Sequence, residues 1–277
     1  MDDFPSILMN QLRRTNSYRM PESHTHSSFE LYYLLSGTQK FFIQHTVYSM
    51  HPYDLALVVP GTLHRTTFSA TSTHERIVIM FDHLYVQELL DLFPSIIEED
   101  FSSKPVITVP EDLRPQIDGL FSRLFQEYEK KDDYSARLMS HYLCDILLLL
   151  TRYRKSKDEP ALPSSPQDEA IGRAAYYISQ NYNQPITLDD AARAAGLSTT
   201  YFSKKFKSVT GFGFKEYLNS IRIQKACKEL LNTKASVTEV ALRCGFENSN
   251  YFGDLFYKVN GMSPRAWRQK NTQSTSA

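Results

Sequence analysis

Between about Phe29 and Phe81, short apolar or aromatic runs alternate with turn residues. FELYYLL, KFFIQ, DLALVVP and RIVIMF are separated by SG, HPYD and PGTLH. Runs of this length and spacing predict a small antiparallel barrel or sandwich. From about Leu84 the period changes. Ile117, Leu120, Phe121, Leu124, Phe125 and Tyr128 recur at i, i+3, i+4, i+7, i+8 and i+11, which marks one face of a helix. A second helix is predicted over about Ser135–Arg154, carrying Leu138, Met139, Tyr142, Leu143, Ile146, Leu147, Leu149 and Leu150. Its apolar surface is wider than one neighbour needs. Two readings stay open: a helical hairpin packed on the barrel, or a hairpin that also makes a homodimer interface.

Residues 154–167 (RKSKDEPALPSSPQ) are charged and then rich in Pro and Ser, the composition of a linker. Beyond it an internal repeat appears. YFSKKFKSVTGFGFKEY (Tyr201–Tyr217) aligns with YFGDLFYKVNGMSPRAW (Tyr251–Trp267). Tyr201, Phe202, Phe206, Val209, Gly211 and Tyr217 each have a counterpart 50 positions later. Two copies of one supersecondary unit explain this most simply. Each copy is preceded by a short helix and a glycine: Leu188–Ala195 with Thr187 as cap and Gly196 as turn, then Val237–Cys244 with Ser236 and Gly245. Small residues at the crossing, a glycine turn and a second helix with buried Phe are the helix-turn-helix pattern. Tyr201, Phe202 and Phe206 are expected to point inward. Phe214–Leu231 reads as one connecting helix of about 27 Å, a length suited to holding two recognition helices about one DNA turn, roughly 34 Å, apart. The tail NTQSTSA is polar.

The formal charge of the whole chain is zero, which would argue against a nucleic-acid partner. That zero averages two unlike halves. From Asp168 onward about 15 Lys and Arg face about 9 Asp and Glu, so the first part is acidic and the last part basic. The three cysteines are scattered and odd in number, as expected of reduced thiols in the cytoplasm. No secretory signal and no membrane span is visible.

The segment Ile186–Gln269 resembles the DNA-binding domain of the AraC/XylS family of bacterial regulators. The matching stretches are LDDAARAAGLSTTYFSKKFKSVTG, IRIQKACKELL and VTEVALRCGFENSNYF…F…GMSPRAWR. The resemblance implies that Thr200, Ser203 and Lys204 face base edges and that Lys207 meets phosphate. In the second unit Ser249, Asn250 and Asp254 hold the corresponding positions, and Asn250 suits adenine. Gly253-Asp254 departs from the family, where a polar and then a basic residue is usual. A carboxylate there repels phosphate, so the second unit is expected to bind DNA more weakly; acceptance from cytosine N4 and simple capping or solvation of the helix are the other readings of Asp254.

The N-terminal half holds His24, His26, Glu30 and Gly37 in the spacing H-x-H-x3-E-x6-G, and YDLALVVPGTLH ends in His64. On strands i and i+2 share a face, so His24 and His26 can converge, with Glu30 and His64 from neighbouring strands. This resembles the two motifs of the cupin barrel. Tyr53 stands where glycine is usual, Val59 where proline is and Phe68 where asparagine is. Three readings of the cluster follow: a divalent metal centre (Mn, Fe, Ni or Zn), the polar lining of an effector pocket, or remnants of the barrel.

The expected fold is α+β: a cupin-like effector-binding and dimerisation domain over 1–153, a linker over 154–167, and an all-α double helix-turn-helix domain over 168–277. The expected function is a cytoplasmic, sequence-specific transcription regulator and not an enzyme, with activation implied by the resemblance. Its expected partners are double-stranded promoter DNA, a small-molecule effector, RNA polymerase and a second copy of itself. A metal-dependent enzyme and a ligand-independent DNA-binding factor are the competing readings.

Overall fold

A computed structural model describes residues 6–14, 26–68, 73–156 and 166–273. The chain divides into two compact units, residues 1–165 and 166–277. His24 lies outside the described residues.

The first unit is built from strands β1 (Ile7–Arg14), β2 (Phe29–Ser36), β3 (Gln39–Ile43), β4 (Thr46–Met50), β5 (Asp54–Val58), β6 (His64–Phe68), β7 (His74–Phe81) and β8 (Val106–Thr108). They form two antiparallel sheets, ordered β1-β7-β2-β5-β8 and β4-β3-β6. Side chains alternate across each strand. Phe29, Leu31 and Tyr33 of β2 join Met9, Ile77, Ile79 and Phe81 on one face. Tyr32 and Leu34 join Phe41, Ile43, Ala56, Val58 and Val78 on the other. β2 is therefore buried on both faces, which is why FELYYLL reads as a continuous apolar run. Within it Glu30 is the one charged residue, and it too is buried.

After β7 come a 3-10 turn (His83–Val86), α1 (Gln87–Leu92), a π-helical turn (Ile96–Ser102) and β8, then the hairpin α2 (Arg114–Lys130) and α3 (Ser135–Ser156). The sheet thus takes a strand from beyond Leu84, where only helix was expected. Ile117, Leu120, Phe121 and Leu124 of α2 and Met139, Leu143, Ile146, Leu147 and Leu150 of α3 share one core with the first face of the sheet. Each such side chain contributes about 1.5–3 kcal/mol on burial. Specific contacts fix the docking. Tyr33 stacks on Phe121 with centroids 5.0 Å apart, and its hydroxyl donates to Asp118 at 3.0 Å. Arg154 Nη2 donates to the carbonyl of Val106 at 3.1 Å.

The second unit holds α4 (Pro166–Gln180), α5 (Leu188–Ala195), α6 (Thr199–Thr210), α7 (Phe214–Asn232), α8 (Val237–Arg243), α9 (Ser249–Asn260) and α10 (Pro264–Gln273). The α3 helix runs to Ser156 and α4 begins at Pro166, so both helices enter the segment read as linker. Both short helices start with reciprocal caps. Thr187 Oγ1 accepts from the Asp190 amide at 3.2 Å while Asp190 accepts from the Thr187 amide at 2.9 Å. Ser236 and Glu239 repeat the arrangement at 3.2 and 2.7 Å. Each cap is typically worth about 1 kcal/mol.

Candidate functional site

In the helical unit the second helices of the two repeats, α6 and α9, are anchored by the same aromatic arrangement. Phe202 and Phe206 are fully buried, and Phe206 meets Tyr217 edge-on at 5.2 Å. Fifty positions later Phe256 meets Trp267 edge-on at 6.0 Å. These anchors turn the opposite face of each helix to solvent. Thr200, Ser203, Lys204 and Lys207 are all exposed on α6, and Ser249, Asn250 and Asp254 are exposed on α9. Among the described residues no ion pair engages Lys204 or Lys207, so that face keeps its positive charge available. Tyr201 departs from expectation. It is 47 % exposed, and its counterpart Tyr251 is 51 % exposed. The reason is helical geometry: Phe202 and Phe206, one turn apart, already fill the inward stripe, which leaves position 201 outside it. Tyr251 accepts a hydrogen bond from Asn219 Nδ2 at 2.8 Å.

The two units differ in their turns. Leu197 and Ser198 separate Gly196 from α6, whereas Phe246, Glu247 and Asn248 separate Gly245 from α9. Asn248, at the N-cap of α9, accepts with its side chain from the amides of Asn250 and Tyr251 at 2.8 and 3.1 Å. Ser198 makes no such bond to α6. Instead Thr199 Oγ1 donates to Asp189 at 2.6 Å, which ties the start of α6 back to α5.

In the β unit, His26, Glu30 and His64 converge, with one ligand atom of each lying within 4.8 Å of the others. Glu30 Oε2 is 3.1 Å from His26 Nε2 and 3.4 Å from His64 Nε2. The two rings stand edge-on with centroids 4.9 Å apart. Each ring is oriented by its other nitrogen: His26 Nδ1 bonds the carbonyl of Ser28 at 2.7 Å and His64 Nδ1 that of Thr62 at 2.8 Å. A carbonyl only accepts, so both Nδ1 atoms carry protons and both Nε2 atoms face the carboxylate. Two species satisfy that geometry. Imidazolium N–H groups can donate to Glu30, or a cation can take two nitrogen lone pairs and the carboxylate. The donor set and the backbone-fixed tautomers fit a divalent metal with an open coordination position. Burial alone would raise the Glu30 pKa, but the hydrogen bonds and charges of His26 and His64 bring it well below the usual carboxylate range. Burial likewise opposes charge on His64, and Glu30 overrides it and holds the imidazole pKa above its ordinary value.

Tyr53, at the position where glycine is usual, has φ +72°. The backbone there does require a left-handed residue. A tyrosine is held in it by Arg114, whose guanidinium carbon lies 3.9 Å from the ring centroid, and by the bonds Tyr53 N–H to Leu34 O (2.6 Å) and Val109 N–H to Tyr53 O (2.9 Å). The departure at this position is thus accommodated locally. A separate hollow of about 830 Å³ opens between β1, β7 and α2, lined by Met9, Leu35, Ile77, Asp118, Phe121 and Glu129 among others. It is on the helix-packed face of the sheet, away from Glu30, and its lining includes no imidazole or cationic group.

Among the described residues no helix is long and apolar enough to cross a membrane. The family described as an AraC-like ligand binding domain matches residues 11–144, and that described as a helix-turn-helix domain matches residues 191–270. Among similar proteins, the HTH-type transcriptional activator RhaR of Pectobacterium atrosepticum is 32 % identical over 160 residues, covering 58 % of this chain and 54 % of that protein. RhaR of Mannheimia succiniciproducens is 29 % identical over 191 residues, covering 68 % and 67 %. The chain spans about half the length of most of the curated relatives it matches. The C-terminal domain of AraT, a response regulator from Geobacillus stearothermophilus, is 33 % identical and covers 38 % of this chain and 88 % of that one, with a TM-score of 0.36.

Proposed function

The chain belongs to the AraC-type family, which joins an AraC-like ligand-binding domain to a helix-turn-helix domain, and from that membership we propose that it is a ligand-responsive transcription activator binding promoter DNA in a sequence-specific manner. The observation that carries the reading is the pair of recognition helices, each anchored by Phe and each turning polar residues outward. On α6, Ser203, Thr200 and Lys204 read base edges and Lys207 meets phosphate. On α9, Asn250 and Ser249 read bases, and Asp254 weakens the grip of this helix on the backbone. A small-molecule effector binds in the barrel and shifts the population of DNA-competent states. RNA polymerase and a second copy of the chain, joined through the α2–α3 hairpin, are the further partners. The protein works in the cytoplasm and is not an enzyme.

The test is immunoprecipitation of the tagged protein from its own cells with sequencing of the bound DNA. The expected result is a few sharp promoter peaks holding two boxes about one helical turn apart. No enrichment in cells, together with no retention of genomic fragments by the purified full chain, overturns the reading.

A second reading is favoured by one observation, the backbone-fixed orientation of His26 and His64 around Glu30. Under this reading a divalent cation is held in the barrel as part of the effector site. When bound, the metal would supply a Lewis-acidic anchor for an oxygen of the effector, while the three side chains hold it. Calorimetric titration of the metal-stripped protein with Zn²⁺, Mn²⁺ and Ni²⁺ tests this. One-to-one binding lost in His64→Ala supports it, and no binding of any of the three removes it.

A further inference from the structure

Three polar atoms on the inner face of the barrel are buried and lack a hydrogen-bond partner: Nε of Arg76, Nε2 of Gln39 and Oδ1 of Asn10. They are grouped by the strand registers. Arg76 of β7 is opposite Leu34 of β2 and Leu12 of β1, and Asn10 is opposite Val78, so Asn10 and Arg76 share the face that carries Tyr32. Tyr32 joins the other two. Its ring lies under the Arg76 guanidinium, 5.3 Å from centroid to carbon, and its hydroxyl donates to Gln39 Oε1. That bond fixes the Gln39 amide with its NH₂ unused.

Arg76 is only 7 % exposed, and among the described residues no carboxylate pairs with it. A guanidinium nitrogen buried beside an aromatic ring without a partner is an expensive arrangement. An anion supplied from outside would relieve it, and the unused Gln39 N–H would be a second donor to the same group. Access and chemistry agree. Leu8 and Leu12, which flank Asn10 on this face, are 53 % and 36 % exposed. The β1 edge beside this face is therefore apolar, which suits an organic acid better than an inorganic ion.

We infer that the inner face of the barrel beside Tyr32 is the seat of a carboxylate group of the effector, received by Arg76 and Gln39. The inference rests on the reading of the barrel as an effector-binding domain and narrows the effector class to small organic acids. A planar guanidinium matches a carboxylate with two parallel donors, and a neutral ligand leaves that charge uncompensated. Asn10 Oδ1 accepts from a hydroxyl of the same ligand. The subsite is distinct from the imidazole cluster: on β7 the neighbour of Glu30 is Met80, four residues from Arg76.

The experiment is thermal denaturation of the full chain with matched acid and neutral probes: acetate against acetamide, benzoate against benzamide, and galacturonate against galactose. At least one acid is expected to raise the midpoint saturably, with an apparent affinity at least tenfold above that of its neutral partner. Arg76→Gln should abolish the preference, Arg76→Lys should keep it, and Gln39→Leu should weaken it. Retention of the preference by Arg76→Lys shows that a change at this position still allows folding. The inference is overturned if no acid stabilises the wild-type chain, if acid and neutral partner act alike, or if Arg76→Gln responds as the wild type does. Retention of genomic DNA by the same preparation is read separately. DNA binding without an acid effect overturns this inference alone, whereas an acid effect without DNA binding leaves it standing and removes the regulator reading.

Discussion

The carboxylate of Glu30 lies 3.4 Å from Nε2 of His64, and both groups are buried. Their mutual shifts set a pH dependence. Glu30 has a depressed pKa, so its contribution is complete above the unfolded carboxylate value, about 4.3, and is lost as the pH falls below it. His64 has a raised pKa, so its contribution is complete below about 6.5 and is lost as the pH rises through the raised value. In buffer containing a chelator, the midpoint of the β unit is expected to decline on the alkaline side of pH 6.5. Glu30→Gln should flatten that decline. Thermal scans from pH 5 to pH 9 check it, and identical alkaline slopes in both proteins would contradict the coupling.

A divalent cation competes with protons for the same nitrogens. Its stabilising effect is therefore expected to grow with pH, opposite in sense to the metal-free trend. His64→Ala should lose the effect at every pH. Midpoints measured with and without saturating Zn²⁺ at pH 6 and pH 8 show whether the order holds.

The two turn glycines are expected to respond unequally to alanine. Both have positive φ, +71° at Gly196 and +84° at Gly245. A Cβ at Gly196 meets nothing within 4 Å, so Gly196→Ala carries only the backbone penalty of about 1–2 kcal/mol. A Cβ at Gly245 would lie 2.9 Å from both the Asn183 Cα and the Tyr182 carbonyl oxygen. Those atoms belong to the segment that Arg222 binds, its Nε donating to Tyr182 O at 2.7 Å and its Nη2 to Gln184 O at 3.0 Å. Gly245→Ala should cost more than Gly196→Ala, by about 1–3 kcal/mol of overpacking. Denaturant midpoints of the two variants decide it. An equal loss would mean that the segment yields freely.

On DNA, Lys204→Ala should lose about 1–3 kcal/mol on the cognate site and much less on unrelated DNA, the signature of base contact. Lys207→Ala should weaken all sequences alike and lower the salt slope by about 1. Asp254→Asn should strengthen binding on every sequence, because the exposed carboxylate opposes phosphate. Mobility-shift titrations at several salt concentrations separate the three behaviours. A sequence-dependent gain from Asp254→Asn would instead mark that residue as a base reader.

The helical unit was largely legible because its signals are local. Caps such as Thr187 and Ser236, turn glycines, and the aromatic pairs Phe206–Tyr217 and Phe256–Trp267 all repeat in sequence and meet in space. The exposure of Tyr201 was not legible, since an aromatic beside a buried Phe looks like core. In the β unit β2, β3, β5 and β7 announced themselves by apolar runs. The polar strand β6 (HRTTF), the short β8 and the N-terminal β1 did not, because their place depends on partners far along the chain. The H-x-H…E…H spacing pointed to His24, His26, Glu30 and His64; the structure brings the last three together, and His24 lies outside the described residues. Arg76 and Gln39 left no sequence signal. They gain meaning only when strand register places both beside Tyr32.

The extra residue in the second turn and the aspartate on the exposed face that follows it make the two helix-turn-helix units unequal. Regulators that pair identical subunits suit palindromes, which look the same from either direction. A single chain carrying a lysine-bearing helix followed by one with an aspartate has no such symmetry. Its binding site then has a head and a tail, and an inverted copy of that site is, to this protein, a different word.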